Sequence, residues 1–147
     1  MDREQTVVLL VEDDAGHAAL TRRGLEHLDS RTNLVHVSDG QEALDYLFRQ
    51  GSYSDPAASP RPHVVLLDLR LPRVDGLEVL RRVKNDPTLK TIPVVVLTTS
   101  SSKPDILQAY ANQVSSYLVK PVDFEKFTEL MQTLAAYWLV WNQYSES

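Results

Sequence analysis

The chain contains no cysteine, which removes disulfides, thiolate metal sites and cysteine nucleophiles from consideration. No apolar run approaches the roughly 20 residues that cross a bilayer. The opening stretch MDREQTVVLLVEDD carries acids where a secretion signal carries bases, so a cytoplasmic protein with no membrane partner is expected. A basic block is also lacking: the net charge is −5 with lysines and arginines interspersed among acids, a pattern that argues against a nucleic-acid partner. No internal repeat or low-complexity tract is present. The four histidines, at 17, 27, 36 and 63, stand apart without metal-ligand spacing and read as surface or packing residues.

What remains is a 147-residue chain that is 43% hydrophobic, enough for one domain over 1–147 with a single substantial core. Five apolar runs stand out: TVVLLV (6–11), NLVHV (33–37), HVVLLD (63–68), IPVVVLT (92–98) and SSYLV (115–119). Several lack alternation, as strands covered on both faces do. Between them the apolar residues recur at helical spacing, as in Ala43, Leu44, Leu47 and Phe48, or Leu77, Val79, Leu80 and Val83. The alternation predicts a flavodoxin-like (βα)5 doubly wound parallel sheet, order 2-1-3-4-5, with a core over about 6–139. The last helix is predicted to start after an Asp123 cap and to run to about Gln143, roughly 30 Å at 1.5 Å per residue. It bears a stripe of Phe127, Leu130, Met131, Leu134, Trp138 and Trp141 and forms a helical extension over about 137–147. The connection RQGSYSDPAASPRP (49–62) reads as a mobile loop on the edge of the sheet away from the acids.

Ligands of an open parallel sheet bind beyond the carboxyl ends of its strands. The first strand delivers Glu12, Asp13 and Asp14 there, the third Asp68, the fourth Thr98 and Thr99, and the fifth Lys120. Crowded carboxylates must take up protons or hold a cation, and an open all-oxygen site suits Mg²⁺. An acid, a metal, a hydroxyl and a lysine around one carboxylate fit phosphoryl transfer with that carboxylate as nucleophile.

In these residues the chain resembles the receiver domains of two-component response regulators, from about Thr6 to Leu139. LLVEDD is similar to the acidic metal-binding pair, which implies Glu12 and Asp13 as ligands, with Asp13 and Asp14 as the alternative pair. LLDLRLPRVDG resembles the phosphoacceptor segment, implying Asp68 as acceptor and the Arg70 main-chain carbonyl as a further metal ligand. VVVLTTS resembles the switch-threonine segment and implies Thr98, with Thr99 competing. SYLVKP looks like the lysine motif, with Tyr117 as aromatic switch, Lys120 as phosphate-binding amine and a cis bond at Lys120–Pro121. Arg70 is expected to project its side chain towards the phosphoryl group.

A narrower similarity, in the loop before the third strand, the phrase DPTLKTIPVVVLTTS and the Trp-containing C-terminal helix, is to regulators of phytochrome-type sensor histidine kinases. It implies such a kinase as partner and a homodimer through the fourth helix, fifth strand and fifth helix. Tyr137, Val140, Trp141 and Tyr144 lie wholly or partly outside the core stripe and are expected in that interface. The resemblance implies a signalling domain and not an enzyme. Two alternatives stand beside it: an aspartate-nucleophile phosphatase, whose general acid would fall where Arg70 stands, and a receiver-like binding module working without phosphorylation. A flavin-binding module is disfavoured, because acids follow the first strand where a phosphate cradle would be needed.

Overall fold

The computed structural model describes residues 5–28 and 31–144. Strands β1 (Thr6–Val11), β2 (Thr32–Val37), β3 (Val64–Leu67), β4 (Val94–Thr98) and β5 (Ser116–Val119) form one parallel sheet in the order β2-β1-β3-β4-β5, the order read from the sequence. Helices α1 (Ala15–Leu28), α2 (Gly40–Phe48), α3 (Gly76–Lys84), α4 (Lys103–Ala111) and α5 (Phe124–Ala135) alternate with them. The strands lack alternation because both faces are covered. Leu9, Val11, Val65, Leu67 and Val96 share a core with Leu44 and Leu47 of α2 and Val79, Leu80 and Val83 of α3. Their neighbours Val8, Leu10, Leu66, Val95 and Leu97 pack with Leu25 of α1 and Phe127, Met131 and Leu134 of α5.

Polar punctuation sets the helix starts. Asp39, Asp75, Ser102 and Asp123 each accept a backbone N–H from the first turn of the helix they precede, satisfying donors that have no partner inside the helix. On α4 only Asp105 and Ala109 are buried.

Two expectations are corrected. The C-terminal α-helix stops at Ala135 and continues as a π-helical turn, Ala136–Trp141, closed by the Asn142 N–H donating to the Tyr137 carbonyl five residues back (2.8 Å). The wider turn changes which residue points inward. Leu139 takes the core position, while Trp141 stands 77% exposed. The chain then turns back, so Tyr144 packs against Trp138 and His63 and donates its hydroxyl to the Trp138 carbonyl. Tyr144 is therefore half-buried against its own domain and does not share the open face of Tyr137, Val140 and Trp141. Residues 145–147 of the expected extension lie outside the described residues.

The connection 49–62 is tied down instead of mobile. It forms two short 3-10 turns, Gly51–Tyr53 and Pro56–Ala58. The Tyr46 hydroxyl donates to the Pro60 carbonyl (2.6 Å), Arg61 to the Leu47 carbonyl (2.6 Å) and the buried Ser59 hydroxyl to the Tyr53 carbonyl (3.0 Å). Composition hid this, because Tyr46 and Arg61 reach in from either side of the Ser- and Pro-rich stretch while Ser59 bonds back within it.

The loop after β3 closes on the start of α3 at Gly76, whose N–H donates to the Leu69 carbonyl (2.9 Å). A Cβ there would lie 2.3 Å from the Asp68 carbonyl oxygen and 2.6 Å from the Leu69 Cα, so any larger residue must displace the backbone that carries Asp68. Gly76→Ala should lower stability by at least about 2 kcal/mol, measured by urea unfolding; a loss under about 0.5 kcal/mol would show that the loop yields freely.

Candidate functional site

Strand register assembles the site. Val11 pairs with Leu67, so the next residues, Glu12 and Asp68, leave the sheet side by side, with the Asp68 N–H donating to the Val11 carbonyl (3.1 Å). Thr98 pairs with Val119 across β4 and β5, and the Lys120 N–H donates to the Thr98 carbonyl (2.7 Å). Lys120 then reaches back over β4 and β3. Its Nζ donates to Asp68 Oδ2 (3.0 Å) and to Glu12 Oε1. Asp68 Oδ1 accepts from the Thr98 hydroxyl (2.9 Å) and the Arg70 N–H (3.1 Å). Glu12, Asp68, Thr98 and Lys120 are all buried.

Charge is thus concentrated where solvent cannot screen it. Burial pushes the Glu12 carboxyl above its usual range despite the adjacent ammonium. Burial acts on Asp68 in the same sense, but the charge and hydrogen bond of Lys120, the Arg70 N–H and the Thr98 hydroxyl outweigh it and hold Asp68 low. Asp68 is therefore a carboxylate with both oxygens engaged.

Glu12, Asp13 and Asp68 each offer an oxygen within 4.8 Å of the others. Two of these residues are buried and Asp13 is exposed. A hard divalent cation that retains waters on its open side fits this donor set. Asp14, the alternative acid, is exposed and accepts the His17 N–H (2.9 Å) at the start of α1. It caps a helix, as a lone acid before one often does.

The other residues singled out in the sequence separate clearly. Thr98 meets Asp68, whereas Thr99 is exposed in the bend beyond β4. The Tyr117 hydroxyl donates to the Ser100 carbonyl (2.8 Å) and its ring packs half-buried against the core. The Lys120–Pro121 bond is trans, for no cis peptide occurs among the described residues. Trans is the intrinsically favoured form by about 0.5–1 kcal/mol, and Lys120 reaches Asp68 and Glu12 without the inversion. The Arg70 side chain turns away from Asp68 to pair with Asp105 of α4. That aspartate also accepts the Ser100 hydroxyl (2.5 Å), and these partners hold it below the usual carboxylate range.

Two residues escaped the sequence reading. Asp105 sits in the first turn of α4, where an acid three residues after the Ser102 cap is ordinary helix punctuation. His17 was grouped with packing histidines, yet its Nδ1 lies 3.1 Å from Lys120 Nζ. Its place in the turn that follows the acidic strand end is the one signal that pointed there.

Comparison with known proteins agrees with this geometry. The response regulator receiver domain profile matches residues 8–132. The chain is 45% identical over 137 residues to the probable methanogenesis regulatory protein FilR2 of Methanothrix harundinacea, covering 93% of this chain and 86% of that one. It is 40% identical over 133 residues to response regulator Rcp1 of Synechocystis sp., covering 90% and 88%. Among solved structures, the phosphorylated cyanobacterial phytochrome response regulator RcpA superposes with a TM-score of 0.91 at 36% identity, over 97% of this chain and 99% of that one. The Mn²⁺-bound form of response regulator Rcp1 gives 0.91 at 38% identity, over 96% and 99%. With the strand order, the acidic corner and these matches in agreement, the chain belongs to the response regulator receiver domain family.

Proposed function

We propose that this receiver accepts a phosphoryl group on Asp68 from a sensor histidine kinase of the phytochrome type and signals by protein contact. The observation that carries the reading is the Asp68 carboxylate at the end of β3, with Lys120 Nζ at 3.0 Å and the Thr98 hydroxyl at 2.9 Å. An Asp68 oxygen bonds to phosphorus while the bond from phosphorus to the kinase imidazole nitrogen breaks, and the electron pair stays on that nitrogen. Lys120 supplies a fixed positive charge to one phosphoryl oxygen and Thr98 a donor to another. Mg²⁺, held by Glu12, Asp13, Asp68 and the Arg70 main-chain carbonyl, would neutralise the charge gathered on the transferring group.

The kinase class is supported by the likeness to RcpA, a phytochrome response regulator by name. Acid, hydroxyl and lysine together leave no gap that favours a module working without phosphorylation. The phosphatase alternative lacks its general acid, because the residue two positions after Asp68 is Arg70, committed to Asp105. A cytoplasmic setting matches such a kinase, and among the described residues no helix is long and apolar enough to cross a membrane.

The homodimer expectation rests on exposed apolar side chains. Tyr137, Val140 and Trp141 are exposed beyond α5, and Leu107 and Tyr110 of α4, Val119 of β5 and Phe124 of α5 are exposed as well. Exposed apolar side chains of this kind are what a two-fold dimer buries. Tyr144 is not among them.

Three measurements test these readings. Incubated with acetyl phosphate and Mg²⁺, the wild type should gain the mass of one phosphoryl group while Asp68→Asn gains none; equal gains would move the acceptor elsewhere. Mg²⁺ at about 100 times its dissociation constant should add roughly 2.7 kcal/mol of stability, and Asp13→Asn should abolish most of the resulting rise in Tm. Trp141→Glu should convert a dimeric light-scattering mass to a monomeric one, and a wild type that is monomeric with and without phosphate refutes the dimer.

A further inference from the structure

We infer that His17 is the positioning residue that keeps the Lys120 ammonium aimed at Asp68, by accepting the third of its three N–H bonds. This rests on the phosphotransfer reading above. A lysine ammonium has three donors and no acceptor. Here its acceptors number three: Glu12 Oε1, Asp68 Oδ2 at 3.0 Å and His17 Nδ1 at 3.1 Å. Each is presented by a different element: the end of β1, the end of β3 and the first turn of α1.

The three acceptors differ in what the reaction asks of them. Glu12 and Asp68 belong to the cluster that fits a divalent cation, and Asp68 also takes the phosphoryl group. In both roles a cation or a phosphoryl group competes with Lys120 for the charge of these carboxylates. His17 is the acceptor that neither role consumes. It would hold the ammonium in place while Lys120 exchanges an Asp68 oxygen for a phosphoryl oxygen.

The ring is itself built in. It stacks on buried Phe127 of α5, with centroids 6.1 Å apart and planes 23° from parallel. Its backbone is fixed by the Asp14 cap, and its carbonyl accepts the Thr21 hydroxyl (2.9 Å). An acceptor at Nδ1 requires the neutral ring with its proton on Nε2. A freely rotating surface histidine would give no such constancy.

The test compares wild type with His17→Phe, which keeps the stack on Phe127 but has no acceptor, and His17→Asn, whose Oδ1 stands one bond from Cγ as Nδ1 does. Phosphorylation by acetyl phosphate with Mg²⁺ is followed by intact mass; an Asp68 oxygen bonds to phosphorus as acetate leaves with the electron pair. The Phe variant should react about tenfold more slowly, as loss of a hydrogen bond to a charged donor implies, and the Asn variant within about twofold of wild type. A Phe variant as fast as wild type, or an Asn variant as slow as Phe, overturns the assignment of His17 alone. A wild type that takes up no phosphoryl group overturns the phosphotransfer reading itself. Long-range ¹H–¹⁵N spectra of the wild type give an answer independent of how the variants fold: His17 should carry its proton on Nε2, and a proton on Nδ1 refutes the proposal.

Discussion

Everything at the carboxyl edge of the sheet depends on one buried ammonium between two buried carboxylates. Taking Glu12 and Asp68 out of water costs several kcal/mol per ion, and their mutual repulsion adds to it. Lys120 offsets that cost only because β5 ends at the right register to deliver it across two intervening strands. Removing one partner from such a buried set typically costs 3–5 kcal/mol, since the rest stays uncompensated. Lysine suits the position better than arginine would. Its three donors point to three separate acceptors, whereas a planar guanidinium would favour a single two-pronged carboxylate.

The same atoms connect the acidic corner to α4 and β5. Asp68 Oδ1 is held by Thr98 and by the Arg70 N–H. Two residues beyond Thr98, Ser100 donates its hydroxyl to Asp105 and its carbonyl accepts the Tyr117 hydroxyl. A group added to Asp68 under the proposed chemistry would compete for the Thr98 hydroxyl, and the segment from Thr98 to Ser100 is short enough to pass a shift of that hydroxyl to α4 and β5. Those elements carry exposed Leu107, Tyr110 and Val119, so the contact network ends at the surface where a protein partner would read it.

How much of this was legible in the sequence varied with the range of the interaction. The five strands and their order were, because unbroken runs such as Val64 to Leu67 require cover on both faces and only a few windings provide it. The meeting of Glu12, Asp68, Thr98 and Lys120 followed from the rule that strand ends converge. What lay hidden depended on side-chain direction. Arg70 was expected beside the phosphoryl position from its spacing alone, but an acid in α4, 35 residues later, captured it. Trp141 was placed in the core stripe by a 3.6-residue period that a π turn interrupts. His17 was indistinguishable from any other first-turn residue until α5 supplied Phe127 beneath its ring.

The Arg70–Asp105 pair is the weakest joint in the network, and its weakness follows from its exposure. The Arg70 side chain is 62% exposed while that of Asp105 is 12% exposed, so solvent screens the attraction and the pair is worth about 0.2–1 kcal/mol. The Ser100 hydroxyl does more than the exposed Arg70 guanidinium to hold this carboxyl below its usual range. Asp105 therefore keeps α4 seated through Ser100 even when Arg70 leaves. A phosphoryl group on Asp68 would bring more negative charge than one carboxylate, two residues from Arg70 in the chain. Against so small a holding energy the guanidinium can be drawn across, and its transfer would strip a positive charge from the first turn of α4 without unfolding it.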